Sequence, residues 1–253
     1  MNENYIRSIH LHSEANEGYL HRLPVVRHLS DKRELPFTKP VTFLVGENGT
    51  GKSTLLEAIA VAYGFNAEGG SKNFRFTTAD THSSLHEHMA LTRGILRPED
   101  GFFLRAESFY NTASYIDRIY EDEFKSKLWT SYGASSLHKQ SHGESFLALV
   151  EHRFSGNGLY LLDEPEAALS PNRLLTLLVR IHELVQQNSQ FIIATHSPIL
   201  MAYPNAMLYH LTADGITETC YQDTEHYQLT KQFMENPEQM LYYLLNQKQD
   251  ELE

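Results

Sequence analysis

Short runs of wholly apolar residues alternate along this chain with longer stretches whose apolar positions recur at three- and four-residue steps. Val41-Thr42-Phe43-Leu44-Val45 is such a run, suited to a strand buried on both faces, and residues 54–60 after it read as a helix. Residues 101–106, 159–162 and 191–194 repeat the strand pattern. Helices are predicted over 115–129 (Ile116, Ile119, Tyr120, Phe124, Leu128) and from Phe146 to Val150. Ser170-Pro171 reads as an N-cap followed by Pro at the first helical position, opening a helix with Leu174, Leu175, Leu178, Ile181, Leu184 and Val185 on one face. Residues 207–211 and 216–221 form a predicted hairpin around Asp214-Gly215, and helices close the chain around 230–233 and 240–245. Residues 5–9 predict a first strand. The rest of the first 40 residues, broken by Pro24, Pro36 and Pro40, is expected to pair in pieces with the sheet edge, and 64–98 is expected to be loops and short elements. Strands alternating with helices predict an α/β domain: a mostly parallel sheet flanked by helices, with antiparallel edge strands.

Composition narrows the setting. With 253 residues, 41% of them apolar and 21% charged, the chain can bury a sizeable core as a single domain over 1–253. No apolar run approaches the roughly 20 residues of a membrane helix, and the first residues lack the apolar centre of a signal peptide, so a cytoplasmic location is expected. A single cysteine, Cys220, excludes an internal disulfide and fits a reducing compartment; in a predicted strand it reads as small and buried. The net charge is −11, and the eight acids against Lys231 and Lys248 from residue 216 onward account for −6 of it. Such a chain is a poor non-specific DNA binder, and nucleic acid would need a local basic patch. The fourteen histidines are scattered without metal-ligand spacing and read mostly as surface residues.

The chemistry gathers at predicted strand ends. Gly46-Glu47-Asn48-Gly49-Thr50-Gly51-Lys52-Ser53-Thr54 fits G-x-x-x-x-G-K-[ST], with a strand before it and a helix after. The glycines let successive N–H groups turn inward onto phosphate oxygens, at a helix N-terminus that favours anions. Lys52 would place a positive charge on the β- and γ-phosphates, and the Ser53 hydroxyl would be a ligand to Mg²⁺. Asp163 and Glu164 end the next apolar strand. Asp163 is placed to hold Mg²⁺, and Glu164 to act as general base on a water. Glu107 and His196 fall at two further strand ends, and such ends are where ligands bind in open α/β sheets. The residues read as a P-loop nucleoside-triphosphatase. Tyr19 is a candidate for stacking on the base, with an ordinary half-buried tyrosine the plainer reading.

Gln140-Ser141-His142-Gly143-Glu144, with Ser141 twenty-two residues before Asp163, resembles the signature motif of ATP-binding-cassette (ABC) ATPases. Leu162-Asp163-Glu164-Pro165-Glu166-Ala167-Ala168-Leu169-Ser170-Pro171 is similar to the DEPE-x-x-L-x-P block of small stand-alone ABC-type ATPases and of the SMC and recombination-repair heads. His196 matches the switch histidine, and Glu107 lies where transporters of the family carry a glutamine that approaches the metal. The resemblance spans about 41–198 and implies a helical signature subdomain near 108–150. It also implies a head-to-tail homodimer sandwiching two ATPs, with Ser141, Gly143 and Glu144 of one subunit facing the phosphates held by the other. His196 would hold the γ-phosphate, Glu164 would activate the water, and the dimer would drive a partner protein. A transporter's nucleotide-binding subunit is disfavoured by Ser170 in the D-loop and by Glu107. The 86 residues between Thr54 and Ser141 leave no room for a long coiled coil, so a tethering machine is disfavoured, though not a compact DNA-associated ATPase. A G-protein lacks its N-K-x-D motif, a small-molecule kinase would not need this set, and a non-hydrolysing ATP-gated module need not keep Glu164 and His196.

Overall fold

The computed structural model describes residues 4–12, 19–32, 34–71, 83–105 and 142–246. The predicted helix over 115–129 and most of the 108–150 subdomain lie outside these residues.

A six-stranded sheet forms the centre. It is built from β3 (Val41–Val45), β5 (Asp100–Arg105), β6 (Gly158–Asp163), β7 (Gln190–Ala194), β8 (Met207–Thr212) and β9 (Gly215–Thr219), in the order β5-β6-β7-β3-β8-β9. The first five strands are parallel, and β9 returns antiparallel to β8 through the predicted hairpin. The inner strands β3, β6 and β7 are buried along their whole length and almost wholly apolar because both faces are covered. Val41, Phe43, Val45, Tyr160, Leu162, Phe191 and Ile193 enter one core, while Leu44, Leu159, Leu161, Ile192 and Ala194 enter the other. Each fully buried side chain of this size contributes about 1.5–3 kcal/mol.

The core of Val41, Phe43 and Tyr160 is closed by α4 (His142–Arg153), α5 (Pro171–Gln186) and α6 (Pro198–Met201), and the core of Leu44, Leu159 and Ile192 by α1 (Pro24–Lys32), α2 (Lys52–Tyr63), α3 (Leu85–His88) and a second sheet. In the second sheet β1 (Ile6–Leu11) lies between β2 (Leu35–Pro36) and β4 (Met89–Arg93), antiparallel to both. The N-terminal pieces thus pair with one another and with β4, not with the edge of the main sheet. The Gln190 side chain joins the two sheets: Ile6 N–H donates to its Oε1 and its Nε2 donates to the Ile6 carbonyl, each at 2.9 Å.

Three local expectations are corrected. The buried face of α5 is Leu174, Leu177, Ile181 and Leu184, while Leu175 is 53% exposed, because the 3-4-3 spacing tilts the contact stripe away from it. Ser170 has extended backbone before Pro171, but its hydroxyl makes no capping hydrogen bond. Cys220 is exposed, because it follows β9, an edge strand paired on one side only. Two helices, α7 (Glu225–Glu235) and α8 (Pro237–Asn246), close the described chain with no buried residue in either. No helix among the described residues is long and apolar enough to cross a membrane.

Candidate functional site

Parallel registry aligns the carboxyl ends of four strands: Arg105 of β5 lies opposite Asp163 of β6, Asp163 opposite Ala194 of β7, and Ala194 opposite Leu44 of β3. The loop between β3 and α2 rises from this edge. Gly46 has φ +139°, and a Cβ there would stand 2.2 Å from the Leu211 carbonyl oxygen, so β8 approaches too closely for any side chain. Gly51, at φ +93°, caps α2. Between them Glu47, Asn48 and Gly49 are exposed, while Thr50, Ser53 and Thr54 are half-buried. The Thr50 hydroxyl donates to the Glu47 carbonyl at 2.8 Å, and Lys52 Nζ donates to the Gly46 and Glu47 carbonyls, both at 2.8 Å. Lys52 is buried. Burial pulls its ammonium below the usual range, and the carboxylates of Glu164, Asp163 and Glu166 oppose that pull.

Asp163 is buried, and its Oδ2 lies 3.5 Å from Arg105 Nε, whose Nη1 holds Glu57 Oε2 of α2 at 2.5 Å. Ser53 and Asp163 offer oxygen donors alone, which suits a hard divalent cation such as Mg²⁺. Glu164 has φ +48° and ψ +53°, a left-handed conformation costing a non-glycine residue about 1–3 kcal/mol. Its N–H is secured to the Ala194 carbonyl at 2.9 Å, and the turn aims its Oε1 to 3.6 Å from His196 Nε2.

His196 follows β7. Thr195 N–H donates to the Leu44 carbonyl at 3.1 Å, and the Thr195 hydroxyl accepts from Ser197 N–H at 3.0 Å. The His196 N–H donates to Glu166 Oε1, so the DEPE turn and the histidine loop are joined directly. Burial pushes the Glu166 carboxyl above the usual range. His196 Nδ1 lies 3.0 Å from Nε2 of His226 on α7. Burial first, then the positive charge of Lys52, holds both imidazoles below the ordinary histidine value.

The structure therefore brings together Lys52, Asp163, Glu164 and His196 from three strand ends. Gly143 and Glu144 lie in the first turn of α4. A Cβ on Gly143 would meet the Ala168 carbonyl at 2.8 Å, and Glu144 pairs with Arg173 at 3.0 Å. Ser141 and Glu107 lie outside the described residues. Tyr19 is 53% exposed just before the 3₁₀ turn Leu20–Arg22. Sequence reasoning missed three residues. Glu166 sat inside a recognised block with no role, Arg105 read as an ordinary strand end, and nothing local marks His226.

The family described as an AAA domain matches residues 26–144. Among solved structures, a metal-chelate-type ABC transporter in an inward-facing conformation is 16% identical with a TM-score of 0.50, covering 89% of this chain and 88% of that one. CbiO1 from Clostridium perfringens, part of the cbiONQ ABC transporter complex, gives 15%, a TM-score of 0.48 and coverages of 93% and 97%. The SMC head domain from Thermotoga maritima gives 16%, 0.42, 85% and 98%. The curated proteins return no match. Residues 26–144 are similar to the AAA-domain family, and the chain as a whole shares the α/β fold of the metal-chelate-type ABC transporter structure.

Proposed function

We propose that this chain binds ATP with Mg²⁺ and hydrolyses it through an ATP-sandwiched homodimer, and that closing and opening of the dimer drives a partner protein. The observation that carries the reading is the convergence of Lys52, Asp163, Glu164 and His196 at the carboxyl edge of β3, β6 and β7. Residues 46–54 wrap the phosphates with backbone N–H groups, and Lys52 exchanges its carbonyl partners for phosphate oxygens. Ser53 and Asp163, with Glu107, would hold the metal. When bound, Mg²⁺ neutralises charge developing on the phosphate oxygens. Glu164 takes the proton of the attacking water as the oxygen bonds to the γ-phosphorus and the bond to the ADP oxygen breaks. His196 steadies the γ-phosphate beside Glu164. Ser141, Gly143 and Glu144 of the opposite subunit complete the site, with donors aimed at charge that one subunit alone leaves unmet.

The dimer makes the reading testable by dilution. Specific ATPase activity is expected to fall as the protein is diluted through its dissociation range, and Lys52→Ala to remove it at every concentration. Activity per chain that stays constant down to monomeric protein would sink the sandwich mechanism.

A further inference from the structure

Helix α7 reaches back to the site with one side chain. Its start is fixed by Thr224, whose hydroxyl donates to the Tyr221 carbonyl at 2.7 Å and accepts from Tyr227 N–H at 3.4 Å. Two residues after that cap, His226 places Nε2 at 3.0 Å from His196 Nδ1. Of two neutral imidazoles in such contact, one nitrogen must carry a proton and the other a lone pair. The far side of His196 decides which. Its Nε2 is buried without a hydrogen-bond partner among the described residues and faces the Glu164 carboxylate at 3.6 Å. A lone pair there would point at an acceptor, whereas an N–H has one to meet. The favoured arrangement runs from His226 Nε2–H to His196 Nδ1, with the His196 proton on Nε2.

We infer that His226 is a positioning residue for His196: by donating to Nδ1 it fixes the tautomer and ring orientation in which His196 offers Nε2–H to the γ-phosphate and to Glu164. A group that holds one ring nitrogen dictates the state of the other, as the partners behind ligating histidines do at metal sites. The role of His196 toward the γ-phosphate rests on the function proposed above; the tautomer does not. Neutrality matters to the device, because a doubly protonated ring needs no selection, and burial first, then the nearby Lys52 ammonium, disfavours that form of both histidines. The arrangement also ties α7 to the nucleotide site through one hydrogen bond.

Three substitutions separate the hydrogen bond from packing. His226→Phe keeps a ring without nitrogen, His226→Gln places an amide N–H close to the position of Nε2, and His226→Asn is too short to reach it. Long-range ¹H–¹⁵N spectra of the full chain labelled at histidine, with His196 assigned by its loss in His196→Gln, report the tautomer without reference to activity. The Nε2–H form is expected in the wild type and in His226→Gln, and a mixture in His226→Phe and His226→Asn. In steady-state ATPase assays the Phe and Asn variants should lose about tenfold in kcat, the equivalent of one ordinary hydrogen bond. KM for ATP and affinity for ADP should stay near wild type, and Gln should restore most of the rate. An unchanged His196 tautomer in the Phe and Asn variants overturns the inference. So does wild-type kcat in both while His196→Gln is slow. If His226→Phe does not fold, the Gln and Asn pair decides. A wild type that binds but does not hydrolyse ATP refutes the proposed function, and the spectra still decide the role of His226.

Discussion

Arg105 is the residue whose removal has the most calculable consequence. Its guanidinium is 21% exposed and spans two carboxylates, Glu57 at 10% and Asp163 at 8% exposure. Arg105→Ala leaves both carboxylates in a poorly hydrated place without this counter-charge. Breaking a buried pair by deleting one partner costs roughly 3–5 kcal/mol, and the partial exposure of Arg105 argues for the lower end, about 3 kcal/mol. In a chain of this size each kcal/mol moves Tm by about 2–4 °C, so thermal unfolding followed by circular dichroism should show a fall of about 6–12 °C. Glu57→Gln in the same background should recover part of that loss, because it removes one of the two stranded charges. Mg²⁺ with ATP should raise Tm more in Arg105→Ala than in the wild type, since a cation at Asp163 replaces the missing positive charge. A fall below 2 °C, or strictly additive effects of Arg105→Ala and Glu57→Gln, would refute this account of the triad.

Gly46→Ala sets a Cβ against the Leu211 carbonyl at a positive φ, so it should abolish ATP binding by fluorescent-nucleotide titration and lower Tm; retained affinity would contradict the close approach. The depressed pKa values of His196 and His226 mean that the unfolded chain takes up protons first as pH falls below about 6.5. Their contribution to stability is therefore present above that pH and lost on acidification, and the His196→Gln/His226→Gln double variant should lose less Tm than the wild type between pH 7.5 and 5.5. Ending the chain after Asn236 removes α8, which buries none of its residues, and should move Tm by less than about 2 °C; a larger fall would mean α8 is part of the core.

The central strands were legible because burial on both faces leaves an unbroken apolar signature. VTFLV, LYLL and FIIA each fall inside an observed strand. The ligand-side ends were legible because GENGTGKST and DEPE follow directly on those runs. The second sheet was not, because β4 reads MALTR with only Met89 buried, and β2 is two residues long. Neither length nor alternation was available to announce them. Within the site, sequence could name residues whose roles are set by a local motif, and failed where the role is set by tertiary approach. His226 lies among polar helix residues, thirty positions beyond His196, and only the packing of α7 brings the two rings together. Arg105 acquires its partners through strand registry and the side of α2, which one-dimensional spacing does not encode.

In the proposed mechanism Glu164 is the base of an ATP-driven dimer. Glu164→Gln keeps the side chain's size and removes its basicity, so bound ATP should persist unhydrolysed and hold the closed state. Light scattering on size-exclusion chromatography, with and without Mg-ATP, measures this directly. The expected result is a monomer that becomes a dimer when Mg-ATP is added, together with loss of phosphate release. Glu164→Gln protein that remains monomeric with Mg-ATP, while the wild type hydrolyses it, would contradict the mechanism and leave only the P-loop fold standing.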